Sequence, residues 1–299
     1  MSGKRRLFIF ITGQYRKFWH SWNNLVEKVL KPATPLLEVH VCVGLDQTWK
    51  SVRHLWQHDD RHIFQTHLRN EWKNLQYPSE HLIVEWVGCN NPYLHRAIAS
   101  LQHYRDKGQL DPYWFDYLVH RSGSCIEYAQ ISQLYSMVCS QYTVHEEDLM
   151  MRTRTDILLR HPLCFASLPP LIESSTKDVF ERLFPASCHF AGMEEEKSGR
   201  EVSIFPSQPV PTRWVITLRK NLIYIMPLKA GSLLLELVQH YGDWDTHEFN
   251  HYWFNAESQF RGCFRCHDFT VWEYSQDKDA CYAGFESDAE DFPLYAIYR

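Results

Sequence analysis

Hydrophobic positions in the first third of the chain alternate between short unbroken runs and longer stretches of helical period. Leu7 to Thr12 reads as a strand, about Lys17 to Leu30 as a helix, and Leu37 to Val43 as the next strand after a break at Lys31-Pro32. His54 to Tyr77 is polar, rich in His and Trp, and helical in character. His81 to Val87 is a further strand. Pro92 opens another helix, amphipathic over Arg96 to Tyr104, and Gly108 to Trp114, with Asp111-Pro112, reads as a loop. A Ser/Gly stretch at 122–124 then precedes a long helix, Cys125 to Tyr142, with Ile131, Leu134, Tyr135 and Val138 at core spacing. Alternation of this kind predicts an α/β fold: a central, mostly parallel sheet flanked by helices.

The long helix leads into Leu149 to Leu159, LMMRTRTDILL, an apolar strand that carries one acid, Asp156. Side chains alternate along a strand, so Arg152, Arg154 and Asp156 are expected on one face and Thr153 and Thr155 on the other. Three charges on one face read as surface or site, the alternative being a surface ion pair between Arg154 and Asp156. The flanking Met150, Met151, Ile157, Leu158 and Leu159 favour the site, because they place the carboxylate where a metal ion can be held. In the first segment, RLFIFITGQYRKFW, a strand runs through Gly13 into a basic, aromatic helix start. Ligands of open α/β sheets gather outside the carboxyl ends of the strands, where helix N-termini converge, so both segments point to one crevice.

After Arg160 the regular alternation lapses. A Pro-bearing loop spans Pro162 to Pro170, a short helix is expected near Lys177 to Leu183, and the acidic run at Glu194 to Glu196 reads as solvated. Strands are expected around Val202 to Phe205 and Trp214 to Thr217, and a helix over Ser232 to Tyr241. Gly242 to Phe260 is dense in acids, His and aromatics. No repeat, low-complexity tract or linker divides the chain. One compact domain over 1–299 is expected, with a nucleotide-sugar half at 1–160 and an acceptor half at 161–299.

A net charge of -5 disfavours generic nucleic-acid binding, which needs Lys and Arg concentrated on one face. Aromatic residues make up 15%, with 11 Trp, which suits stacking on sugars or bases as well as a large core. The nine cysteines are odd in number and several lie in apolar runs, the usage of a reducing compartment such as the cytoplasm. The apolar start ends too early, at Gln14 to Arg16, for a signal peptide or a membrane span, and nothing else approaches the length of one. Membrane association is expected to be peripheral if it occurs. Cys263, Cys266 and His267 form C-x-x-C-H, which on pattern suggests haem attachment, but no haem-protein context surrounds it and a zinc site lacks its partner pair.

The GQYR turn, the long helix bearing Gln and Tyr, and the RTRTD strand resemble the GT-A glycosyltransferases, in particular viral and bacterial families in which an R-x-R-x-D segment replaces D-x-D. Chlorovirus glycan-building transferases, β-xylosyltransferases among them, are the nearest named activities. The resemblance implies a GT-A-like, Rossmann-like sheet, a nucleotide-sugar donor that is UDP-linked, with UDP-xylose a candidate, and a glycan acceptor. It also implies a divalent cation, Mn²⁺ or Mg²⁺, on Asp156, with His267 as a further C-terminal ligand. Arg154 stands where the first Asp of the pattern would be, a departure that touches the number of protein ligands to the metal. For the donor, Thr12, Gly13, Gln14 and Arg16 carry over from the first strand's exit loop, and Arg152, Arg154 and Gln133 complete the set, with Gln130 a further candidate.

An inverting transfer needs one general base to deprotonate the acceptor hydroxyl. Glu257, flanked by Phe254 and Phe260, is the leading candidate, because apolar neighbours desolvate a carboxylate and raise its pKa. Asp245 and Asp243 compete with it, and a retaining mechanism stays open. Trp244, Trp253 and Phe254 are the candidate acceptor platform. A non-catalytic carbohydrate- or nucleotide-binding module of the same fold is the alternative, favoured by Arg154 at the first-Asp position.

Overall fold

The computed structural model describes residues 4–13, 18–46, 58–88, 90–121, 124–155, 157–159, 162, 163, 165, 213–218, 223–244, 254, 256–274 and 295–297. The expected strands at 202–205, the helix at 177–183 and the acidic loop lie outside these residues. One seven-stranded sheet runs through the protein. Its strands are β1 (Arg6–Gly13), β2 (Glu38–Asp46), β3 (Leu82–Val87), β4 (Leu149–Arg154), β6 (Trp214–Leu218), β7 (Ile223–Pro227) and β8 (Thr270–Tyr274), in the order β3-β2-β1-β4-β7-β6-β8. The pairs β3–β2, β2–β1, β1–β4 and β6–β8 are parallel, and β7 is antiparallel to both its neighbours. The mostly parallel α/β sheet expected from the alternation is present.

Alternation along β1 and β2 assigns the two faces. Leu7, Ile9, Ile11, Val39, Val41 and Val43 point to one core, shared with α1 (Phe18–Leu25) and α2 (His58–Asn74) through Phe18, Trp22, Phe64 and Trp72. Phe8, Phe10 and Cys42 point to the other, with α3 (Pro92–Asp106), α5 (Ser124–Gln141), α6 (Ser232–Gln239) and α7 (Ala256–Cys266) packed over them. Strands covered on both faces read as unbroken apolar runs, which is why β1 and β2 show no polar alternation. Each fully buried Phe, Leu or Ile contributes about 1.5–3 kcal/mol of transfer free energy, and the two cores together hold the sheet rigid.

Three local expectations differ from the structure. Pro112–Asp116, within the expected loop, forms a short helix, α4, because Asp111 accepts a hydrogen bond from the Tyr113 N–H at 2.8 Å and Pro112 is preset for the first helical turn. The helix after β1 continues past Lys31-Pro32 to Ala33, with a π turn over Val26–Leu30 before it. Proline has no N–H to donate, and the widened turn is where the ladder changes to admit it. The run Leu149 to Leu159 is two strands rather than one, since Ile157–Leu159 forms β5 and pairs antiparallel with β9 (Tyr295–Ile297) in a second, two-stranded sheet.

The start of α3 offers a plain test of a cap. Asn91 accepts from the N–H groups of Tyr93 at 2.9 Å and Leu94 at 3.1 Å. Asn91→Ala is expected to cost about 1 kcal/mol, read as a lower urea midpoint at unchanged slope.

Candidate functional site

β1 and β4 lie side by side, and from them the chain order runs outward in opposite directions, to β2 and β3 on one side and to the later strands on the other. Ligands of open α/β sheets bind at such a switch point, beyond the carboxyl ends of the strands. Thr12 pairs with Gly44 on one side and Arg154 on the other, and Gly13 with Leu45, so the exits of β1, β2 and β4 meet there.

Gly13 is where the crevice begins. Its φ is +130°, a conformation L side chains rarely adopt, and a Cβ there would stand 2.9 Å from Thr155 Oγ1. The Thr155 N–H donates to the Thr12 carbonyl at 3.1 Å, and the Gly13 carbonyl accepts from Gln130 Nε2 at 3.2 Å. Gln130 is wholly buried on α5, and its amide oxygen has no hydrogen-bond partner among the described residues. Gly44 lets α5 come this close, since a Cβ there would lie 3.1 Å from Leu134 Cδ1 and 3.6 Å from Gln130 Cβ. Gly13→Ala is expected to cost about 1–3 kcal/mol through backbone strain and the Thr155 contact, seen as a reduced unfolding midpoint. A neutral result would mean that the turn relaxes freely.

Arg152 changes the reading of the RTRTD segment. Three charges on one strand face were expected to lie at the surface or in the site, yet Arg152 is fully buried. Its Nε donates to Thr12 Oγ1 at 3.1 Å, and its Nη2 stands 2.9 Å from Glu127 Oε1 on α5. Tyr224, from β7, is buried beside this pair. Burial pushes its hydroxyl pKa well up, Arg152 opposes the shift and Glu127 adds to it. Arg152 and Thr12 are therefore buried against each other beneath the exits of β1 and β4, a correction to the expectation that the charge of Arg152 lies outside the core. Arg154, half-buried, ends β4 at the crevice rim.

Asp156, Gln14, Arg16, Asp245 and Trp253 lie outside the described residues. The alternation that put Asp156 on the face of Arg152 does not extend to it, because β4 stops at Arg154. Both flanks of that position are nonetheless held by α1. Ser21 Oγ donates to the Thr155 carbonyl at 2.7 Å, and Asn24 bonds both the carbonyl and the N–H of Leu159, at 2.8 and 2.6 Å.

The other candidates are dispersed. Glu257 falls in the first turn of α7, which is tied to α5 where the Tyr128 hydroxyl donates to the Ala256 carbonyl at 2.7 Å. Since Tyr128 adjoins Glu127, the start of α7 is anchored next to the helix that floors the crevice. Gln133 accepts from Asn91 Nδ2 at 3.3 Å, beyond the exit of β3. Asp243 is hydrogen-bonded by the Tyr104 hydroxyl.

His267 is not brought to the crevice. It precedes β8, whose Thr270 pairs with Trp214, and the register across β6 and β7 carries that row to Leu149, the entry end of β4. The exit lies five residues further on, roughly 17 Å at strand rise, and β8 stands three strands from β4, roughly 14 Å aside. His267 instead pairs with Glu236 at 3.0 Å and packs against Trp244 at 5.5 Å. The described exit of β4 and His267 are thus well apart in the sheet. Phe254 is buried edge-on to Tyr104 at 5.2 Å, hence core rather than acceptor platform. Cys263 is buried and its thiol pKa is raised by desolvation, while Cys266 is exposed, so the two point apart.

Asp46, which the sequence reading passed over, is 4% exposed at the last position of β2, one residue beyond the partner of Gly13. A carboxylate buried at the exit of the strand next to the switch point is placed as a ribose-hydroxyl acceptor would be. The strand was expected to end at Val43, which hid it.

No protein-family model matches the chain. No curated protein matches it significantly. Among solved structures it is similar to mouse xyloside xylosyltransferase 1 in its apo form, at 10% identity and a TM-score of 0.37, over 99% of this chain and 98% of that one.

Proposed function

We propose that the chain is a glycosyltransferase that moves a sugar from a UDP-linked donor, with UDP-xylose the first candidate, to a glycan hydroxyl with inversion. The observation that carries the reading is the cluster of polar groups at the switch point. There Gly13 turns at positive φ against Thr155, Gln130 has a buried amide oxygen with no partner among the described residues, and Asp46 supplies a buried carboxylate. The donor half of the site is assigned to residues 1–160 and the acceptor half to 161–299.

Among the described polar groups near the β1, β2 and β4 exits, Asp46, Gln130 and Thr155 offer oxygens, the donor type that Mg²⁺ and Mn²⁺ take, beside the cation of Arg154. Asp156 would hold the cation, between two segments that α1 fixes. Once bound, the cation neutralises the diphosphate. Thr12 and Arg152 keep the floor rigid and dry beneath the donor. Gln14, Arg16 and Arg154 are assigned to the nucleotide. Glu257, with Asp245 as the competing base, takes the proton from the acceptor hydroxyl.

The test is the unfolding temperature with UDP, UDP-xylose and other nucleotide sugars, with and without Mn²⁺. A ligand that binds only the folded protein raises the midpoint as its occupancy grows. At about 100 times its dissociation constant it stabilises by roughly 2.7 kcal/mol. A metal-dependent rise with UDP compounds, lost in Asp156→Asn, is expected. Absence of a rise with every nucleotide defeats the proposal.

A non-catalytic binding module is the second reading. It is favoured because Arg154 occupies the first-Asp position while Arg152 is committed inward to Glu127. Nucleotide binding without release of UDP from any donor and acceptor pair would select it.

A further inference from the structure

At the opposite end of the sheet from the crevice, Glu38, His40 and His81 converge. Their ligand atoms all lie within 4.8 Å of one another. Glu38 and His40 are two residues apart at the start of β2 and so share a face. His81 comes from the turn before β3. The parallel register Val41↔Leu82, followed one residue back, sets it beside His40. His40 Nε2 is 2.9 Å from Glu38 Oε1, and His81 Nε2 is 3.5 Å from the same oxygen.

The His81–Glu38 spacing is that of a metal polyhedron, whereas the His40–Glu38 contact is a shorter hydrogen bond that would open slightly to admit an ion. Tetrahedral zinc with bonds of about 2.0–2.2 Å holds its donor atoms about 3.3–3.5 Å apart, and two His with one Glu is an established donor set for it. The surroundings are already ordered for the role. His40 is 1% exposed, stacked on Phe8 at 4.5 Å and met edge-on by Tyr142 at 4.9 Å, so its ring cannot swing away. The two imidazoles lie 3.9 Å apart at 34°, with His81 the more exposed ring and so the one able to adjust. Glu38 is 40% exposed and leaves a fourth position open to water.

The charges nearby are balanced. Arg6, the one guanidinium acting on His40, forms a forked ion pair with buried Asp148, at 2.9 and 2.5 Å. Glu80, next to His81 in sequence, acts electrostatically on both imidazoles and contributes a second negative charge. Glu80 and Tyr142, neighbours of His81 and His40, also line an open groove of about 500 Å³.

We propose that Glu38, His40 and His81 form a Zn²⁺ site, separate from the nucleotide crevice, that clamps the start of β2 to the start of β3 and keeps one coordination position for water. No step of sugar transfer runs through it.

The test uses the full-length chain carrying Asp156→Asn, so that the crevice cation does not contribute. Stripped with chelator, it is titrated with Zn²⁺ by calorimetry and with Co²⁺ by visible absorption. One equivalent of Zn²⁺ is expected, together with the d–d bands of four-coordinate Co²⁺ and a higher unfolding temperature with Zn²⁺. Removing a ligand by His81→Ala or Glu38→Gln should weaken zinc binding by at least about 100-fold, at or beyond the upper end of what loss of a supporting group costs. His81 and Glu38 are the accessible members, so both variants avoid the buried His40. Should Zn²⁺ fail to saturate at one equivalent, or bind His81→Ala as tightly as the parent, the trio is a hydrogen-bonded cluster and the proposal is wrong.

Discussion

Arg152→Ala is expected to destabilise the protein by about 3–5 kcal/mol, the cost of removing one partner from a buried ion pair. The cation is fully buried, 2.9 Å from Glu127 and hydrogen-bonded to Thr12. Truncation leaves a carboxylate facing a cavity under the first turns of α5. Against a total of roughly 5–15 kcal/mol for a typical domain, that loss is severe, and it should lower both the urea midpoint and the yield of folded protein. Replacing both charges, as Arg152→Met with Glu127→Leu, is expected to recover most of the loss, because no buried charge is then left unpaired. The double variant also separates stability from function. If the pair serves only as floor, UDP binding returns with the fold, whereas a stable double variant that no longer binds UDP would make Arg152 a ligand contact. A loss below about 1 kcal/mol for the single variant would show that water reaches Glu127.

Glu257→Gln is expected to lower the rate of sugar transfer by about 10²–10⁴-fold, the usual contribution of a positioned general base. The amide keeps the shape of the carboxylate but cannot accept a proton. The unfolding temperature and the UDP-induced shift should therefore stay at parent values while turnover falls. Asp156→Asn should show the complementary pattern, with turnover and the metal-dependent shift lost together. Asp245→Asn distinguishes the rival base. If it removes transfer and Glu257→Gln does not, the acceptor proton leaves through Asp245. If neither changes the rate, the mechanism proposed for the acceptor half is wrong.

The elements that were legible in the sequence are those whose signal is local. β1, β2, β3, α3 and α5 show unbroken apolar runs or helical spacing because each is covered by core on a complete face. Arg152 was misread for the opposite reason. Strand alternation flags a charge as external, and what internalises this one is Glu127, on another element and invisible to any short window. The division of Leu149 to Leu159 was hidden likewise, since β4 pairs with β1 and β7 while β5 pairs only with β9, far along the chain. At the site, Gly13 stood out as a turn residue. Asp46 did not, because its significance depends on which strand lies beside β1. His267 shows the converse error, in which a chemically apt side chain was assigned to a crevice that the sheet register places well away from it.

The pairing of β5 with β9 also sets an order of events during synthesis. Ile157 pairs with Ile297 and Leu159 with Tyr295, so the strand that follows the Asp156 position meets its partner only after residues 295–297 have been made. Until then β5 is held by Asn24 and by the packing of Ile157 and Leu159 in the core beneath α1, and its edge carries backbone groups open to other strands. Strands β1 to β4 can thus gather early while β5 is paired last, and nascent chains halted before residue 295 are the ones a chaperone would have to shield.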